Sequence, residues 1–335
     1  MYNSIKLSMV FIGIVIGAGF ASGQEFMGFF LRYGAISIYG VILASVLFGI
    51  IAICILNKIY ITGARNISEY FGNSRLFVFV DVISTLFMLA SYIVMTSGSG
   101  AIFEEYLGLP KFVGILSMTV ICGIVFWRGA DGLVKVNLAL TPIMVFGTIF
   151  VGMRILSQDV AVMACADGVL NNWVSSALVY VSYNVLTATA VMTALRELIT
   201  SRKVAILSGI ISGISLGVAA VILWKVLYIN YDSVQDSAVP MLAASGKYRM
   251  FYLPLLYFAI VTTAVSSGFG VVTRLPKKWG VWAVLTCGAI FGFMGFAVLV
   301  EKLYGFFGVV GIIIMFYIIF DGVKMLTTKK KRDTI

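Results

Sequence analysis

The residues best placed to do chemistry in this chain lie inside its first apolar run. Gly17-Ala18-Gly19-Phe20-Ala21-Ser22-Gly23-Gln24-Glu25 is preceded by apolar residues from Leu7 to Ile16 and followed by more from Phe26 to Leu31. Three glycines in so short a stretch disfavour regular helix, each Gly costing about 1 kcal/mol relative to Ala. A bilayer interior holds no water for loose backbone groups, so irregular backbone persists there only where it lines a protein cavity. Interrupted helices of this kind build the binding sites of secondary transporters. Glu25 lies in the outer half of the run, and an intramembrane carboxylate costs about 2.5–3.5 kcal/mol on insertion scales. It is therefore expected to face a cavity or a partner. Three roles stand side by side: contact with a substrate amine, proton coupling, or structural capping of N–H groups freed by the break.

A second polar cluster sits in the middle of a later apolar run, where Ser182, Tyr183 and Asn184 are followed by Thr187 and Thr189. Its position suggests another unwound, site-forming segment. The alternative is that Ser and Thr bond back to their own helix while Tyr and Asn join neighbouring helices. Tyr92 is a candidate pocket-lining residue or an interhelical hydrogen-bond donor. Thr262, Thr263, Ser266 and Ser267, taken alone, read as ordinary small polar residues of a membrane helix. The chain has no histidine, and Cys54, Cys122, Cys165 and Cys287 form no C-x-x-C pair. Ser-His or Cys-His catalysis and metal or redox centres are not expected, and paired carboxylates are lacking, so an enzyme is the weakest reading.

The elements that must position these residues follow from composition. The 335 residues are 61% hydrophobic and only 11% charged, with mean hydropathy +1.06. Soluble domains carry about 25% charged residues, so an integral membrane protein is expected, multi-pass in the cytoplasmic membrane of a prokaryote. Runs of about 20 apolar residues fall roughly at 5–31, 34–57, 76–101, 111–127, 133–156, 170–195, 204–228, 250–273, 279–298 and 303–324. The first run lacks a cleavage-site pattern and is expected to be retained as a signal-anchor. With the N-terminus inside, most Lys and Arg fall on the cytoplasmic side, while Glu104, Glu105, Asp159, Asp167, Asp232, Asp236 and Glu301 fall outside. This positive-inside asymmetry gives an N-in, C-in topology. The formal charge of +10 is accounted for in this way, without a nucleic-acid partner. Residues 1–325 then form one transmembrane domain, and 326–335 form a basic tail suited to an anionic leaflet.

Smaller features carry weaker expectations. The small-residue stripes Gly209, Gly213, Gly217 and Gly288, Gly292 allow close helix approach, within one chain or between copies, so the oligomeric state stays open. Residues 239–244 could form a lid over the outer face or lie at the membrane interface. Arg32 with Asp236 or Glu301 is a candidate outer gate, and Arg196 with Glu197 a candidate inner closure. Asp81 and Asp321 are expected to pair with Arg75 and Lys324.

Five runs followed by five more, residues 1–156 and 170–325, suggest an inverted-topology repeat, because an odd number of spans makes the second half enter from the opposite side. Ten spans in a 5+5 inverted repeat with helices 1 and 6 discontinuous resemble the leucine-transporter (LeuT) fold of the amino acid–polyamine–organocation superfamily. The Gly17–Glu25 stretch is similar to the opening motif of the YkvI-like amino-acid permeases, a likeness that covers essentially the whole chain. The resemblance implies that a substrate carboxylate meets backbone N–H groups near Ala21 and Gly23, for which the partial positive charge of a half-helix N-terminus is an independent warrant. It also implies a Na+ site in which carbonyls around Gly19 and Ser22 meet Thr263, Ser266 and Ser267, five hard oxygen donors. The substrate-contact set is thus Gly17, Gly19, Ala21, Ser22, Gly23, Glu25, Tyr92, Ser182, Tyr183 and Asn184. The expected function is alternating-access transport of a small zwitterionic solute, an amino acid, coupled to Na+. The alternatives are a proton-coupled amine carrier using Glu25, and a sensor or assembly protein that does not transport.

Overall fold

Helix is the only regular structure in the computed structural model, which describes residues 1–72, 75–157, 172–237, 239–294, 307–309, 311–322, 324 and 325. Cys165, Asp159, Asp167, Glu301, Lys302, the tail 326–335 and parts of the ninth and tenth apolar runs lie outside the described residues. The first apolar run forms three helices, α1 (Tyr2–Val15), α2 (Ala18–Ser22) and α3 (Gln24–Phe29). Two glycines make the divisions. Gly17 is extended, with φ −94° and ψ −168°, and Gly23 is left-handed, with φ 86°. A residue with a side chain would be strained in the second conformation. A short 3-10 stretch, Leu31–Ile36, turns the chain into α4 (Ser37–Thr62). That helix ends on a left-handed Gly63, whose N–H bonds to Ile59 O at 2.8 Å, a glycine cap that satisfies an orphan carbonyl.

The short α5 (Ile67–Phe71) is held by a capping box. Asn66 Oδ1 accepts from the Glu69 N–H, and Glu69 Oε2 accepts from the Arg65 N–H, both at 2.8 Å. Then follow α6 (Arg75–Leu107) and α7 (Lys111–Leu156). The latter is bent at Gly129, with φ 64° and ψ −146°. The kink falls between the predicted fourth and fifth runs and divides the 46 residues into two helical arms. The second half comprises α8 (Trp173–Ala194), α9 (Arg202–Ile229), α10 (Tyr231–Val234), α11 (Pro240–Ala244), α12 (Arg249–Val272), α13 (Lys277–Phe291) and a further helix over 311–322.

By length and composition, six helices among the described residues can cross a membrane, with shorter apolar helices besides, α1 among them. Outward-facing apolar side chains recur at helical spacing, for example Ile42, Val46 and Ile50 on α4 and Ile210, Ile214 and Val218 on α9, as lipid-facing surfaces require. The enclosed element is α12, in which every residue from Ala259 to Val272 is buried. It packs against α6 and α7 on one side and against α1, α2 and α8 on the other. On the opposite flank α4 packs along α9, where a Cβ on Gly49 would sit 3.4 Å from the Gly213 Cα. This stripe therefore serves packing within the chain.

Two expectations are corrected. The sixth run is not discontinuous, because α8 is helical throughout Trp173–Ala194. It contains no glycine, and its polar side chains bond back to their own helix: Asn184 Nδ2 donates to Tyr180 O at 3.1 Å, Thr189 Oγ1 to Val185 O at 2.8 Å, and Thr193 Oγ1 to Ala190 O at 2.8 Å. The pairing of the two acidic residues near helix ends also reaches beyond the neighbours expected. Asp81 pairs with Arg274 at 2.9 Å and Asp321 with Lys58 at 2.6 Å. Both pairs join helices far apart in sequence.

Candidate functional site

The end of α1 lies against α12. Thr263 Oγ1 donates to Gly13 O at 3.0 Å and, more weakly, to Ile16 O at 3.4 Å. These two carbonyls are left exposed where α1 stops and Gly17 turns extended. Gly17 is needed at this point, since a Cβ on it would lie 3.0 Å from the Thr263 hydroxyl. One turn further along α12, Ser266 is fully buried and its hydroxyl has no hydrogen-bond partner. The neighbouring Ser267 reaches Ser91 of α6, with the two hydroxyl oxygens 3.1 Å apart.

The carbonyls that meet Thr263 are therefore those of Gly13 and Ile16, six residues before the expected Gly19 and Ser22. Gly19 O instead accepts from the Ser22 hydroxyl at 3.2 Å, and the Ser22 hydroxyl also accepts the Gln24 N–H at 3.3 Å. The reason lies in the break itself. The inner helix ends at Val15, so the free carbonyls belong to its last turn, whereas α2 is a separate helical turn that engages its own groups. Ala21 O is held from outside by Tyr252 Oη of α12, at 2.7 Å. Gly23 is roofed by Leu227 of α9 and Met241 of α11, which would lie 2.9 and 3.1 Å from a Cβ there. Met241 and Leu242 are buried, so α11 covers the break rather than lying free at an interface.

Glu25 is only 5% exposed, and its Oε2 has no hydrogen-bond partner. Its side chain folds back onto α2, where a Cβ on Gly19 would come within 2.6 Å of Glu25 Cγ. Gly19 thus makes room for the carboxyl group. Tyr183 and Tyr180 of α8 lie beside the carboxyl group. Phe29 lies against both, with ring centroids 6.0 Å from Tyr183 and 5.6 Å from Tyr180. The ring cluster continues through Phe30 to Tyr180 and through Phe87 to Tyr183 and Phe307.

Of the remaining candidates, Ser182 turns away from the break and donates to Gly308 O at 2.5 Å, and Asn184 bonds back to its own helix. Tyr92 packs on Phe126 at 6.0 Å and against Gly288 of α13, in a different part of the bundle from Glu25. The structure thus groups Gly19, Glu25 and Tyr183 in one place and Gly17, Thr263 and Ser266 in another. Sequence reasoning missed Gly13, Ile16, Tyr180 and Tyr252. Two of these were signalled by spacing: Tyr180 precedes Tyr183 by three residues, and Tyr252 precedes Thr263 by about three helical turns, so each pair shares a helix face.

Beyond the N-terminal half of α1, a cavity of about 330 Å³ opens between Lys6, Arg65, Asp131, Val134, Arg196 and Glu197. This is the size of a small-molecule pocket. Arg196 packs over the Gly63 cap of α4, where a Cβ would lie 3.6 Å from its guanidinium. The molecule is therefore covered at the α11 end of the break and hollow at the other end.

These features describe an all-helical membrane protein with an interrupted first span packed on a central helix. No family model matches the chain. It is similar to the uncharacterized membrane protein YkvI of Bacillus subtilis (strain 168), 26% identical over 330 residues that cover 92% of this chain and 93% of that one. It is also similar to the uncharacterized protein YyaD of the same strain, 25% identical over 324 residues covering 93% and 94%. Among solved structures the fold is similar to MHP1, a nucleobase-cation-symport-1 family transporter in a closed conformation with bromovinylhydantoin bound. That match has a TM-score of 0.61 and 12% identity over 91% of this chain and 74% of that one. A variant of the manganese transporter of Eremococcus coleocola matches with a TM-score of 0.57 and 16% identity over 95% and 78%.

Proposed function

We propose that the chain is a secondary active transporter working by alternating access. In this reading ten spans are arranged as a 5+5 inverted repeat with both termini inside, the kinked α7 supplying spans four and five. The cargo is a small zwitterionic solute, an amino acid, and Na+ is the coupling ion. The observation that carries the reading is the meeting of Gly13 O, Ile16 O and Thr263 beside the buried, unpartnered hydroxyl of Ser266. A buried polar group without a partner is costly, and oxygen donors of this type suit a hard cation. The Na+ would be held by the carbonyls of Gly13, Ile16 and Thr263 and the hydroxyls of Ser266 and Ser267, which keeps the α12 residues expected from sequence and replaces the two carbonyls of α2. The solute would sit at the break near Gly19, Ala21 and Glu25, covered by α11 on one side and reached through the charged cavity on the other. Among the described residues no three His, Cys, Asp or Glu side chains converge, so the donor chemistry favours an alkali cation over a transition metal.

The test is uptake of radiolabelled amino acids into proteoliposomes under an inward Na+ gradient. Accumulation that collapses when Na+ is replaced by K+ is the expected result. Uptake indifferent to that exchange overturns Na+ coupling, and uptake driven instead by a pH gradient returns the proton-coupled reading.

A further inference from the structure

Glu25 and Lys58 are the only charged residues in the buried set among the described residues. The two have opposite circumstances. Lys58 is paired with Asp321 at 2.6 Å and lies over the Tyr70 and Tyr317 rings at 4.4 and 5.1 Å. Glu25 takes part in no ion pair among the described residues, and one of its oxygens is buried without a hydrogen-bond partner. A carboxylate taken out of water normally finds a countercharge or extra hydrogen bonds. Here the neighbours are Tyr180, Tyr183 and the Cα of Gly19.

These surroundings have a definite preference. The carboxylate attracts a cation, and its unpartnered oxygen leaves lone pairs open to N–H donors. A solute carboxylate would meet the opposite. Among the described residues the one buried Lys or Arg, Lys58, is already committed to Asp321. Gly19 shows that the arrangement is built in, since any side chain there would collide with Glu25.

We propose that Glu25, flanked by Tyr180 and Tyr183, is the subsite for the ammonium group of the transported solute, so that a protonated amine is the obligatory recognition element and a carboxylate is dispensable. The inference rests on the transport reading above and shifts its recognition element from the zwitterion to the amine, so that amines with no acid group are included. Glu25 acts by direct ion pairing, and the tyrosines beside it position its carboxylate.

The experiment compares matched ligands on the purified full-length protein. One set is leucine, 3-methylbutylamine and 4-methylpentanoate, and the other is phenylalanine, 2-phenylethylamine and 3-phenylpropanoate. Binding is read by calorimetry for the wild type, Glu25→Gln and Tyr183→Phe. In at least one set the amine is expected to bind and the acid not to. Glu25→Gln is expected to weaken amine binding about 10- to 100-fold, the scale of a charged hydrogen bond. Its unfolding temperature without ligand serves as the control for folding. If Glu25→Gln does not fold, the wild type still decides, because an amine should protect Glu25 from carbodiimide labelling and the matching acid should not.

The proposal is overturned if no amine in either set binds, if the acid binds as well as the amine, or if Glu25→Gln keeps amine affinity and loses only its pH dependence. Amine binding without vesicle uptake would sink the transport reading and leave the subsite standing. Uptake of zwitterions unchanged in Glu25→Gln would do the reverse.

Discussion

Ser266→Ala separates a cation site from ordinary membrane polarity because the two readings predict opposite signs. The Ser266 hydroxyl is fully buried and unpartnered, and such a group costs about 1–3 kcal/mol of desolvation. Removing the oxygen relieves that cost and leaves a void worth only a few tenths of a kcal/mol at about 24 cal/mol per Å³. In K+ the variant is therefore expected to be as stable as the wild type or more so, by about 1 kcal/mol. In Na+ the order changes. A cation at 100 times its dissociation constant stabilises the folded protein by about 2.7 kcal/mol, and a tenfold weaker site yields only about 1.4 kcal/mol from the same concentration. The variant's gain from Na+ should thus be roughly half that of the wild type. The assay is denaturation of the detergent-solubilised protein in NaCl and in KCl at equal ionic strength. A wild type that gains nothing from Na+, or a variant that gains just as much, refutes the reasoning.

Three other perturbations follow from the geometry. Gly19→Ala drives a methyl into the Glu25 carboxyl group and should cost about 1–3 kcal/mol of stability as overpacking, together with a loss of ligand affinity measurable by calorimetry; unchanged affinity would mean that Glu25 is not held against α2. Gly23→Ala adds left-handed strain of about 1–2 kcal/mol to contacts with Leu227 and Met241, so hydrogen exchange should quicken in α11 while α4 keeps its protection, and α11 exchange equal in wild type and variant would count against α11 as a cover. Lys58→Met leaves Asp321 without its partner and should destabilise by about 3 kcal/mol, whereas Lys58→Met with Asp321→Leu should recover most of that loss, as read by chemical denaturation; a double variant no better than the single one would disprove the pairing.

The long apolar runs made the spans legible, because a helix in lipid satisfies its own backbone and needs only length and hydrophobicity to be recognised. The first break was legible for the converse reason: Gly23 supplies left-handed backbone, and Gly17 the close approach to Thr263. The register of the free carbonyls was not. It depends on whether the helix stops before or after Gly17, and the sequence alone does not separate an end at Val15 from one at Ser22. In α8, Ser182, Asn184 and Thr189 gave a false signal of unwinding, since the same side chains that could serve a break can instead bond to the carbonyl one turn back. The partners of Asp81 and Asp321 were invisible because the bundle, rather than the chain, sets which charges meet. Glu25 stood out in sequence by its position, but the tyrosines beside it required the placement of α8 beside α3.

The glycine seam between α4 and α9 has a consequence for biogenesis. Gly49 and Gly213 touch almost backbone to backbone, so neither helix buries its flank fully without the other. The two residues are 164 positions apart (213 − 49), and at about 5–20 residues per second the ribosome needs roughly 10–30 s to deliver the second after the first. During that interval α4 must rest in the bilayer with its smooth face against lipid. The order of synthesis thereby favours a late joining of the two halves, in which α9 closes onto a helix already waiting in the membrane.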